Sequence, residues 1–392
     1  MKSFGILWFV ILASIASLWL SNAKPFTIQK DLPASKITIA TTTRQTSFIK
    51  SPEKTRKAFI QMQGGVGTTS KPKTLHEAKS TTLKQNASIP EKDISQDSQK
   101  TNGARTLMPT QAQLSASAIK LRSALVNIIC TTPSGGRIRS ISGSGIVVGS
   151  HGVILTNAHI GQYFLLHDYP SKGNTVCNIR TGSPAKNTYS AKLMFISPSW
   201  MDANPSTLTQ YAPTGTGKYD IAFLLITKSL TDTPLPKAFS FMPLAKQAPK
   251  KDEDIVIGSY AAQFLTTNQI DYSLYPTITY GTVKNIFTFD TNTVDVISLG
   301  GSAAAQEGSS GGGIINAKGM LTGIITTSTT KGATDTRDLH AITATYVRRD
   351  YKKETNYSID DSLNNPQTAT DMFSSEASAL SAILVKNLSQ TL

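Results

Sequence analysis

The stretch Gly308-Ser309-Ser310-Gly311-Gly312-Gly313, running into Ile314-Ile315, sets serine hydroxyls among glycines at the head of an apolar run. Glycines let the backbone turn sharply and bring its N–H groups close to a substrate. There they stabilise a negative oxygen as it forms on an attacked carbonyl. A serine in this setting is a candidate nucleophile. Its hydroxyl is weak near neutral pH, so it needs a positioned base, and the base needs an orienting partner. Gly/Ser runs also serve as flexible linkers. The apolar run after this one and the residues upstream favour the strand-head reading.

The base must come from five histidines: His76, His151, His159, His167 and His340. His159 stands apart. It closes Leu155-Thr156-Asn157-Ala158-His159, where a strand hands over to a short turn and the small Ala158 permits close packing. The other four read as surface or structural histidines. Asp220 directly precedes the apolar run Ile221-Ala222-Phe223-Leu224-Leu225-Ile226. A carboxylate held at the edge of such a strand is partly buried and needs a partner. A histidine N–H suits it; a plain strand-capping role is the alternative.

Elements must position these residues. Leu114, Ala118, Leu121 and Leu125 share one helical face, with Thr110 as N-cap. This helix feeds a strand over 126–130. Ser142-Gly143-Ser144-Gly145 opens a second strand, Gly149-Ser150-His151-Gly152 makes a turn, and Val153-Ile154-Leu155 returns, which reads as a β-hairpin. The last β-like run spans 339–347, and 348–354 is charged and helix-compatible. Phe373, Ala377, Leu380, Leu384 and Leu388 then line one helical face, with Asp371 as its cap.

The chain has 392 residues and a net charge of +14. Much of the excess lies in residues 24–112, which carry 15 Lys/Arg against 6 Asp/Glu. This segment has no Trp or Tyr and no sustained apolar period, so it reads as a disordered basic linker. No aromatic-plus-basic pattern accompanies the charge, which argues against nucleic-acid recognition. Residues 4–20 are apolar behind Lys2, and small residues precede Lys24. Residues 1–23 therefore read as a signal peptide or a membrane anchor. Either places the rest outside the cytoplasm: periplasmic, at the cell surface or secreted. Cys130 and Cys177 are then a candidate disulfide, with two buried thiols as the alternative. Two cysteines alone do not make a structural zinc site, and no histidine spacing completes one.

Taken together, Gly145-Ile146-Val147, Leu155-Thr156-Asn157-Ala158-His159, Asp220-Ile221-Ala222-Phe223-Leu224 and Gly308-Ser309-Ser310-Gly311-Gly312 resemble the trypsin-like serine proteases of chymotrypsin fold. The bacterial HtrA-like branch is closest in style. The order is His, Asp, Ser, with Asp220 61 residues after His159 and Ser310 90 residues after Asp220. The resemblance covers residues 126–330 and implies an all-β fold of two six-stranded antiparallel barrels with the site between them. It implies Ser310 as nucleophile, His159 as base and Asp220 as its orienting acid. It places the oxyanion hole at the N–H groups of Gly308 and Ser310. No metal or organic cofactor is implied.

Departures matter too. Pancreatic-type members have an acid before the nucleophile that pairs with a newly cut N-terminus; here Ser309 stands there. The HtrA-like branch usually has Asn there and a C-terminal PDZ domain, for which the 45 residues after Val347 are too few. The resemblance puts Ala304 at the base of the first specificity pocket, where no acid is available for Lys or Arg. Small or medium apolar residues are the expected preference. The strand edge at Ile325, Thr326 and Thr327 is the expected dock for substrate backbone. The organisation expected is residues 1–23, a linker over 24–112, a protease domain over 113–350 and a helical extension over 351–392. The rival reading is a catalytically silent protease-like domain that binds protein at the cell surface. Oligomeric state is not legible.

Overall fold

A computed structural model describes residues 109–133, 138–210, 215–290, 292–328 and 332–390. The expected signal or anchor and nearly all of the expected linker lie outside the described residues.

Helix α1 (Gln111–Ala124) begins where the sequence places it. Thr110 Oγ1 accepts from Gln113 N, and Gln113 Oε1 accepts from Thr110 N, a reciprocal cap. Its buried face of Leu114, Ala118 and Leu121 continues directly into β1 (Leu125–Thr131). Then follow β2 (Ile141–Gly149), β3 (Val153–Thr156), the short helix α2 (Ala158–Gly161), β4 (Val176–Gly182), β5 (Ala185–Ile196), α3 (Pro198–Ala203) and β6 (Ala222–Ser229). The six strands close into an antiparallel barrel in the order β1-β2-β3-β6-β5-β4. Closure leaves no open edge and buries Ile128, Ile146, Ile154, Leu155, Ile179 and Phe223 completely. Cys130 and Cys177 are direct cross-strand neighbours on β1 and β4 and form a disulfide.

The second half supplies β7 (Asp254–Ser259), helix α4 (Thr267–Tyr272), β8 (Thr277–Thr282), β9 (Asn285–Phe287), β10 (Val296–Ser298), β11 (Gly313–Asn316), β12 (Leu321–Ser328) and β13 (Leu339–Thr343). These strands form one antiparallel sheet in the order β8-β7-β11-β12-β13-β10-β9. The fold is therefore all-β, with one closed barrel and one curled half-barrel. The second unit has seven strands rather than six. β9 is a three-residue strand that pairs with β10 alone.

The chain ends in α5 (Ala344–Thr355), α6 (Ile359–Asn364) and α7 (Pro366–Gln390). Two expectations shift here. The last strand stops at Thr343, because the Thr343 hydroxyl accepts from Tyr346 N and caps a helix that begins at Ala344. Asp371 caps nothing: α7 starts five residues earlier, with Pro366 as its first residue, and Asp371 accepts from Gln367 Nε2 within the helix. The apolar face of α7 is as expected, with Leu380, Leu384 and Leu388 buried. Among the described residues no helix is long and apolar enough to cross a membrane.

A buried cation ties the two halves together. The Arg180 guanidinium donates to Asn127 Oδ1 and Ala185 O in the barrel. It also donates to Ile270 O (2.9 Å) and Asp271 O (2.6 Å) in α4. A planar fork with five donors suits four acceptors converging from several directions.

Candidate active site

His159 sits in the single turn of α2, directly beyond the end of β3, so its position follows from the strand. Asp220 sits one residue ahead of the apolar run that forms β6, and β3 and β6 are paired neighbours with Thr156 opposite Ala222. That register brings the two residues together across 61 positions. His159 Nδ1 lies 2.8 Å from Asp220 Oδ2, and His159 N donates to Asp220 Oδ1 at 3.0 Å. Asp220 is 4 % exposed, and its carboxylate is engaged through both oxygens. Thr326 Oγ1 adds a third hydrogen bond, to Oδ2 at 2.9 Å, from the opposite sheet.

The backbone behind Asp220 is held as well. Asn157 Nδ2 donates to Asp220 O. Tyr219 has a left-handed φ of 63°, and its N–H donates to the Tyr346 hydroxyl on α5 at 2.9 Å. A non-glycine residue at positive φ costs energy and persists where its surroundings hold it. Burial raises the Tyr346 hydroxyl far above the usual tyrosine range, so it stays protonated.

Ser310 lies in the turn that leads into β11. Gly308 (φ 88°) and Gly311 (φ 80°) both take left-handed backbone there. A Cβ at Gly311 would collide with the carbonyl oxygen of Ser144, and one at Gly308 would sit 2.7 Å from Tyr260 O. Glycine is required at both for these reasons. Gly311 N donates to Ile325 O, and Ile325 N donates to Gly312 O, docking the turn on β12. Across the cleft, Ser144 N donates to Ser310 O at 2.7 Å. Neither the Gly308 N–H nor the Ser310 N–H has a hydrogen-bond acceptor among the described residues. Among those residues no hydrogen bond joins the Ser310 hydroxyl to the His159 ring. In unliganded sites such bonds are often long and tighten once substrate is bound.

The remaining candidates fall as follows. Ser309 turns inward, 1 % exposed, and shares a 3.0 Å hydrogen bond with Ser259 on β7. Ala304 is fully buried in an apolar cluster with Ile325, Leu339 and Ala341, so it faces packed side chains rather than open space. The Ile325 backbone is committed to the turn through both its N–H and its C=O, so neither group is open to a substrate strand. Thr326 makes a contact that its sequence context does not show, the bond to Asp220. Thr327 is placed opposite His340 in the ladder, past a register shift after Ile325. His340 pairs with Asp338 at 3.0 Å and packs edge-on against Phe287, which accounts for it without chemistry.

An acid–histidine pair on one β-barrel and a serine among glycines on a facing sheet are the arrangement expected of a trypsin-like peptidase. Residues 143–324 match the family model described as the trypsin-like peptidase domain, and the chain is a serine-type peptidase carrying that domain. No curated protein matches it. Among solved structures it is similar to the active form of the Rv3671c protease from M. tuberculosis, at 17% identity and TM-score 0.38, covering 67% of this chain and 95% of that one. It is likewise similar to the inactive form, at 17% identity and TM-score 0.37, covering 64% and 98%.

Proposed function

We propose that the chain is an exported serine endopeptidase that cuts proteins or peptides after small or medium apolar residues. The observation that carries this reading is the two-point grip of Asp220 on His159, at Nδ1 and at the backbone N–H. An acceptor at Nδ1 keeps the proton there and leaves Nε2 free to act as a base.

The steps follow. Ser310 Oγ attacks the scissile carbonyl carbon while His159 Nε2 takes its proton. Asp220 stabilises the imidazolium without being protonated. The oxygen becomes an anion between the Gly308 and Ser310 N–H groups, which have no other acceptor among the described residues. The tetrahedral centre collapses, the C–N bond breaks, and His159 returns its proton to the leaving amine. Water, activated by the same histidine, hydrolyses the acyl-enzyme.

The filled floor around Ala304 and Leu339 supports the preference for short side chains, since little depth is left for a long one. The absence of an acid there disfavours Lys and Arg. The disulfide supports export, because such bonds persist in oxidising compartments. Residues 113–350 are the proposed protease domain, with 351–392 as its helical extension.

The test is labelling of the full chain with a fluorophosphonate probe beside Ser310→Ala. Label on the wild type alone is the expected result. A folded wild type that takes no label sinks the proteolytic reading and leaves a silent binding domain in its place.

A further inference from the structure

We infer that Ser144 is the positioning residue of the oxyanion turn: it holds the Gly308–Ser310 backbone in its reactive orientation without any cleaved terminus or partner. The inference rests on the proteolytic reading proposed above.

In a trans peptide the C=O and N–H point in opposite directions. An anchored carbonyl therefore aims the next residue's N–H. The Glu307 carbonyl accepts from Ala262 N at 2.8 Å, which turns the Gly308 N–H the other way. The Ser309 carbonyl accepts from Gly312 N at 2.9 Å, which turns the Ser310 N–H likewise. The peptide between them decides whether both hold at once. Its carbonyl, Gly308 O, accepts from Ser144 Oγ at 2.8 Å. The same hydroxyl oxygen accepts from Tyr260 N at 2.8 Å, so its direction is set.

Ser144 is fully buried on β2, in the opposite half of the molecule from the turn. Its own backbone is fixed: its N–H donates to Ser310 O, and its C=O accepts from Thr156 Oγ1 at 2.8 Å. One residue thus grips both Gly308 and Ser310, and Thr156 lies three residues before His159. The inner face of the turn is closed by Ser309 and Ser259, a neutral pair that needs no counter-charge. Apart from the Ser144 hydroxyl, the Gly308–Ser309 peptide is held among the described residues only by the 3.2 Å bond from Ser309 N to Gln306 O, and Gly308 itself tolerates both signs of φ. Removing the hydroxyl leaves Gly308 O and Tyr260 N without their partner in a buried place, and a turn that adjusts to relieve this shifts the two flanking peptides, which carry the Gly308 and Ser310 N–H groups.

The test uses the full chain and Ser144→Ala, with three readouts. For a peptide substrate, kcat should fall about tenfold or more with KM within about twofold, the mark of an interaction used in the transition state alone. Inhibition by a peptide boronate, whose tetrahedral adduct places an oxygen in the hole, should weaken by a similar factor. Hydrogen exchange at the Tyr260 amide should be slow in the wild type and faster in the variant. Unchanged kcat and boronate inhibition in a folded Ser144→Ala protein overturn the inference and leave the peptidase reading intact. An unreactive wild type with a protected Tyr260 amide sinks the peptidase reading and leaves the clamp standing. If the variant does not fold, the wild type decides, since rapid exchange at Tyr260 overturns the clamp.

Discussion

Thr326 Oγ1 on β12 donates to Asp220 Oδ2 at 2.9 Å, so the half-barrel steadies an acid that belongs to the closed barrel. The bond spans 106 positions and joins the sheet carrying the serine turn to the pair that would activate it. Thr326→Val keeps the shape and removes the donor. About a tenfold loss in kcat at near-constant KM is expected, from one buried hydrogen bond to a charged group. Steady-state kinetics on a peptide substrate decides it, and an unchanged kcat would show that the bond is structural only.

Asp220→Asn should leave the fold in place and cut kcat by a factor on the order of 10⁴, because an amide at that position no longer enforces the tautomer with Nε2 free. His340→Ala, changing a histidine already paired with Asp338, should leave kcat within about twofold. Comparable losses in both variants would contradict the assignment of His159 as base.

Gly311→Ala should be more damaging than a typical surface change. The new methyl meets Ser144 O and Thr156 Oγ1 at a residue with φ of 80°. A loss of several kcal/mol in urea unfolding and of all fluorophosphonate labelling is expected from steric overlap at positive φ. Full labelling by a stable variant would mean that the turn adapts.

Where His159, Asp220 and Ser310 fall in the fold is legible because each flanks an apolar run, and such runs become strands. The pairing of Thr156 with Ala222 in the β3–β6 ladder then does the rest. Thr326 as an anchor and Ser144 as a grip were not legible. Both act across the cleft through a single hydroxyl, and sequence carries no period that reports contact between sheets. Arg180 is not legible for a related reason: a lone arginine in a strand looks like a surface residue until carbonyls from a distant helix converge on it. The start of α7 lies at Pro366 and not at Asp371 because proline opens a helix as readily as an acidic cap does. The 339–347 run looked uniformly β-like because Thr343 is as much at home in a strand as at an N-cap.

Stability should fall with pH through a defined window because of Asp350. Burial first, and then the Glu354 charge, push its carboxyl up to about 7, against the ordinary value near 4. Its Oδ2 has no hydrogen-bond partner among the described residues, and Lys353, Arg349 and Lys218 offset only part of the cost. Between about pH 4 and pH 7 the unfolded chain has released this proton and the folded chain has not, so stability declines as pH rises and stays lower above that range. Asp350→Asn should raise the urea midpoint near pH 8 and change it little near pH 4. Equal shifts at both would refute the buried-acid account.

Reducing the Cys130–Cys177 bond should weaken the closed barrel. The bond closes a loop with a sequence separation of 47, which the chain-entropy model equates with roughly 4 kcal/mol. Urea unfolding with and without reductant measures it. Coincident curves, with thiols shown to be free, would mean that the strand pairing alone sets the loop.

Phe195 and Phe223 of the barrel share ring contacts with Tyr351 on α5, and Phe195 also meets Phe373 on α7. Glu354 in turn caps α3 through Ser197 and Ser199. The wall of the barrel core is thus built partly from residues that follow the last strand. A boundary drawn at 350 falls inside α5, and a fragment ending there would lose Tyr351 and Phe373 and leave the rings of Phe195 and Phe223 without those contacts.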